Sequence, residues 1–86
     1  MKSWPFQTGI VVMIFWQDHG VPHFHVRYGG ETASIAIETL ALIEGRVPAR
    51  VLGLVVEWAA LHRAELMANW EHARRAEQLV PIAPLE

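Results

Sequence analysis

At 86 residues the chain is expected to form a single domain with a modest core, and an apolar share of 52% with four Trp excludes a disordered protein. Its lack of Cys excludes disulfides and thiolate metal sites. A net charge of −2 supplies no basic footprint for generic nucleic-acid binding.

Residues 1–9 read as an irregular lead-in, with Trp4 and Phe6 covering an edge of the core. They lack the apolar stretch and small-residue cleavage site of a signal peptide. Residues 10–16 form an unbroken apolar run, Ile10 to Trp16, far too short for a membrane span. The expectation is a cytoplasmic protein without membrane contact. The run suits a strand buried on both faces. Its second face then needs cover from the C-terminal tail, a second copy or another protein, which makes it a candidate surface for a homo-oligomer or partner.

Gln17 to Val21 form a loop with Asp18 and Gly20 as turn residues. Pro22 opens a strand over 23–28. There His23, His25 and Arg27 alternate with Phe24, Val26 and Tyr28, and side chains two apart share a face. Gly29-Gly30 permits the positive φ of a tight hairpin turn. Residues 31–38 return antiparallel. Pairing Tyr28 with Glu31 sets Val26 against Ala33 and Phe24 against Ile35. On the other face it sets Arg27 against Thr32, His25 against Ser34 and His23 against Ala36. A slip of one residue would scatter the apolar set. Small partners leave room above the histidines for water, a ligand or another protein.

Residues 40–43 read as a fourth short strand or a covering loop. Pro48 opens a helix over about 48–76. Its apolar stripe carries Val51, Leu52, Leu54, Val55, Trp58, Leu61, Leu66 and Trp70, joined by His62, Glu65 and Asn69. Trp58 and Trp70 read as core. The proline-rich tail, 77–86, is expected to lie along the first strand. The fold class is α+β: an antiparallel meander of three to four strands packed on one long C-terminal helix.

Asp18-His19-Gly20-Val21-Pro22-His23-Phe24-His25-Val26-Arg27-Tyr28-Gly29-Gly30, with Ala33-Ser34-Ile35, Glu57-Trp58-Ala59, His62-Arg63, Glu65-Leu66 and Asn69-Trp70, resembles the small bacterial family known as domain of unknown function 4160. The resemblance covers nearly the whole chain, and Pro-His-Phe-His-Val with the later Asn-Trp is its most specific part. It implies short stand-alone proteins often found beside another small protein family, as in two-gene modules of the toxin–antitoxin kind. It supplies no catalytic residue.

The residue types of the hairpin face support three readings. In the first, His23 and His25 are metal ligands, with His19 as a third and Asp18 or Glu38 as an oxygen ligand. Imidazole with carboxylate suits a divalent transition metal such as Zn, Ni or Fe(II). In the second, His23 and His25 are catalytic acid and base, with Arg27 holding a phosphate, the outline of an RNA-cleaving site. Ser34 as a nucleophile beside His25 would need an orienting acid that the sequence does not place. In the third and most ordinary reading, the face is the wet side of a sheet or an interface for a small partner protein.

His62, Glu65 and Asn69 form a secondary polar cluster. His62 and Glu65 could orient each other or donate ligands, or His62 could be a satisfied core histidine with Asn69 bracing a loop. The expected function is a component of a two-gene module acting through the His/Arg face on a partner protein or RNA. The alternative is a metal-binding protein or small metalloenzyme.

Overall fold

The alternation in the hairpin and the helical stripe resolve into two layers. The computed structural model describes residues 2–5, 9–16 and 19–83. Five strands form one antiparallel sheet: β1 (Lys2–Pro5), β2 (Ile10–Ile14), β3 (His23–Tyr28), β4 (Glu31–Ala36) and β5 (Leu42–Gly45). Each pairs with its neighbours in sequence. Two helices follow, α1 (Ala49–Leu61) and α2 (Arg63–Arg74).

The hairpin has the expected register, from Tyr28 opposite Glu31 to His23 opposite Ala36. Gly29 turns the chain with φ 59°, a conformation most side chains avoid. Strand β2 pairs Val12 with Val26 and Met13 with His25. One face of the sheet therefore carries Ile10, Val12, Ile14, Phe24, Val26 and Ile35, all buried. The helices pack on it through Val51, Val55, Trp58 and Ala59, then Leu66, Trp70 and Ala73. The Phe24 ring meets Trp58 nearly edge-on, with centroids 6.3 Å apart.

Three expectations are corrected. First, Lys2–Pro5 is a strand rather than an irregular lead-in, pairing from Lys2 opposite Ile14 to Pro5 opposite Val11. A short edge segment containing Trp and Pro carries little periodic signal. The expected roles of the Trp4 and Phe6 side chains fall outside what is described.

Second, the long helix over 48–76 is two helices, broken at His62, whose φ of −123° is not helical. The His62 N–H bonds to the Ala59 carbonyl, closing α1 with a tight turn, and the His62 carbonyl accepts from Leu66 to open α2. No Pro or Gly marks the break; the side chains hold it. His62 stacks near Trp58, with centroids 5.5 Å apart, and pairs with Glu65 in the first turn of α2. Arg63 Nε donates to the Ile37 carbonyl. Leu61, just before the break, is 71% exposed instead of buried.

Third, the described part of the tail lies on the helices, not along β2, whose open edge is taken by β1. The chain leaves α2 through a Schellman turn, with Glu77 N–H to His72 C=O at 2.8 Å and Ala76 N–H to Ala73 C=O at 3.1 Å. Ala76 holds the left-handed position, φ 55°, that usually selects Gly. Beyond it, Leu79 and Ile82 join the core cluster.

Candidate functional site

The hairpin alternation that buries Phe24 and Val26 sends His23, His25 and Arg27 to the face away from the helices. There, a hollow of about 400 Å³ is lined by Phe15, His19, Gly20, Val21, His23, His25, Ser34, Ile43 and Glu44. Three of the chain's five histidines meet at it, His19 coming from the loop before β3.

The two strand imidazoles touch edge to face, centroids 5.0 Å apart. His23 also reaches Trp70 of α2, again at 5.0 Å, and His25 lies 4.3 Å from the Phe15 ring. Phe15, His25, His23 and Trp70 thus form one continuous row of rings. His23 Nδ1 donates to the Val21 carbonyl at 2.7 Å. A carbonyl only accepts, so Nδ1 carries the proton and, in the neutral ring, Nε2 carries the lone pair. His25 Nδ1 and Ser34 Oγ share a 3.2 Å hydrogen bond. A hydroxyl can serve either role, so Ser34 suits both His25 tautomers.

The far wall comes from an irregular pairing. Ser34 faces Glu44 and Ile35 faces Leu42, which leaves Ile43 as an extra residue in β5. A bulge of this kind re-aims a side chain, here Ile43, toward the hollow. Gly45 completes it with φ 76°, where an added Cβ would stand 2.2 Å from the Thr32 carbonyl oxygen. Two apolar lining residues are accessible, Val21 at 60% and Ile43 at 48% exposed, beside exposed His19 and Glu44.

The expected site residues separate into groups. His19, His23, His25 and Ser34 are brought together. Arg27 shares the face but lies two residues nearer the hairpin turn than His25, exposed and outside the lining. Asp18 lies outside the described residues, and Glu38 is an exposed turn residue. Among the described residues, no three His, Cys, Asp or Glu side chains are grouped closely enough to hold a metal ion. His62 and Glu65 pair with each other on the helix break. Asn69 is 1% exposed and holds the tail, its Nδ2 donating to the Val80 carbonyl and its Oδ1 accepting from the Val80 N–H.

Sequence reasoning did not find Phe15, Ile43 or Glu44. Phe15 belongs to an apolar run, Ile10 to Trp16, read as a strand buried on both faces with its second face open to a tail, a copy or a partner. Glu44 enters only through pairing with Ser34, which a shifted strand at 40–43 would not give.

Comparison with known proteins adds one finding. A family model described as "Domain of unknown function (DUF4160)" matches residues 9–71, which include every residue lining the hollow. No curated protein and no solved structure matches the chain.

Proposed function

The chain belongs to the DUF4160 family, and on that premise we propose that it is the binding component of a two-gene, toxin–antitoxin-like module, engaging a small partner protein at the histidine-lined hollow. The observation that carries this reading is the mixed lining of the hollow: the polar pair His25 and Ser34 beside the exposed apolar side chains of Val21 and Ile43. Protein interfaces concentrate binding energy where an anchor side chain fills a recess and the surrounding contacts exclude water. RNA as the partner is less well supported, because Arg27 stands outside the hollow while Glu44 stands in it. A phosphate would meet a carboxylate there instead of a guanidinium.

The test is calorimetric titration with the product of the neighbouring gene. His25→Ala and Ser34→Phe, one enlarging the hollow and one filling it, are expected to weaken binding at least about tenfold, or ~1.4 kcal/mol. Unchanged affinity in both variants would remove the hollow from the interface. RNA cleavage that depends on His25 would replace the binding reading with acid–base catalysis.

A second reading has its own observation: three imidazoles around one hollow is a ligand-like choice of residues. Bringing three onto one ion requires the His19 loop to close on His23 and His25. Metal content of untagged protein purified without chelator, compared with the His23→Ala/His25→Ala variant, tests it. Stoichiometric metal lost in the variant supports this reading, and none in either defeats it.

A further inference from the structure

Residues 78–83 form neither helix nor strand, yet two of them are core residues. Their attachment is that of a bound peptide. Asn69 grips Val80 at both backbone groups, with distances of 2.7 and 2.8 Å. A side-chain amide used this way copies a strand partner and recognises an extended backbone whatever its side chains. Three residues on, Trp58 Nε1 donates to the Ala83 carbonyl at 2.8 Å. Leu79 and Ile82, three apart, are each 3% exposed, while Val80 and Pro81 between them face solvent. Backbone grips, two apolar anchors and exposed intervening side chains are the features of a groove reading an extended apolar-x-x-apolar segment.

The groove and its occupant also differ in standing. Trp58 and Asn69 lie within the family match, which ends at residue 71, and the gripped segment lies beyond it. The link between them, residues 74–78, is exposed throughout and passes through Ala76 in its left-handed conformation. Every contact that holds the segment can therefore be remade on another molecule.

We propose that the groove bounded by Trp58 and Asn69 is a peptide-docking site, filled in cis by the chain's own tail and open in trans to the tail of a second copy. Exchange of an identical element preserves all contacts and changes only connectivity. The cis arrangement is favoured when dilute, because the tether holds the tail near its groove at millimolar effective concentration.

Two full-length variants test this by complementation. Leu79→Asp/Ile82→Asp releases the tail and keeps the groove; Asn69→Leu keeps the tail and spoils the groove. Each alone is expected to sediment as a monomer, and an equimolar mixture at high concentration as a 1:1 dimer. A monomeric mixture with the tail-release variant folded overturns the proposal. Failure of that variant to fold also overturns it, because a tail the body cannot fold without is not an exchangeable ligand. If Asn69→Leu does not fold, a synthetic peptide of residues 77–83 replaces it. Saturable quenching or enhancement of Trp fluorescence on titration into the tail-release variant supports the groove, and no change overturns it.

Discussion

Phe24 and His25 are consecutive on one strand and face opposite layers. Phe24 is fully buried beneath Trp58; His25 looks into a solvent-open hollow beside Ser34. The helix-covered face is held mainly by apolar area, so its core residues are fixed by volume and shape. No residue lining the hollow on the open face belongs to a helix, although Trp70 of α2 reaches His23 there. The ordering of the open face comes from hydrogen bonds and ring contacts among His23, His25, Ser34 and Phe15. One face makes the sheet stable, and the other is available for recognition.

The sharpest way to break this division is to compare neighbours. Phe24→Ala is expected to destabilise by about 3–5 kcal/mol, the range for emptying a buried aromatic site, measured by urea unfolding. A loss under half of that would mean the covered face is not the main source of stability. Next comes the bulge that joins the faces. Gly45→Ala puts a Cβ against the Thr32 carbonyl at a left-handed φ and should destabilise by about 2–3 kcal/mol. It should also weaken partner binding by moving Ile43 and Glu44. Destabilisation without any change in binding would detach the hollow from the bulge.

On the helix layer, Ala76→Gly relieves the left-handed alanine and should stabilise by ~1 kcal/mol, seen as a raised urea midpoint with partner affinity unchanged. The smallest expected effect is His25→Ala, within ~1 kcal/mol of wild type, as for a residue outside the core. A larger fall in stability would show that the open face also carries the fold.

The covered face was the legible one. Strict alternation from His23 to Tyr28 and Gly29-Gly30 determine the register, since only one pairing gathers Phe24, Val26, Ala33 and Ile35. The helical stripe was legible as well, but its break at His62 was not. That break rests on contacts with Trp58, Glu65 and Ile37, and no local breaker residue announces it. The hollow was half legible. Its histidines stand in one strand and one loop, whereas Glu44 and Ile43 arrive through an irregular pairing that periodicity does not encode. Asn69 shows the same limit. It sits on the buried stripe among hydrophobes and was read as bracing a loop, but which segment it braces appears only with the Val80 backbone beside it.

Every strand pairs with its neighbour in sequence, in the order β1-β2-β3-β4-β5. Such local pairing closes short loops, the condition for fast folding. During vectorial synthesis the whole meander therefore emerges before either helix, with Phe24, Val26 and Ile35 still uncovered. The ribosome must deliver α1, α2 and the tail anchors Leu79 and Ile82 before that surface is sealed. At roughly 5–20 residues per second this leaves a window of seconds in which the nascent sheet is prone to aggregation.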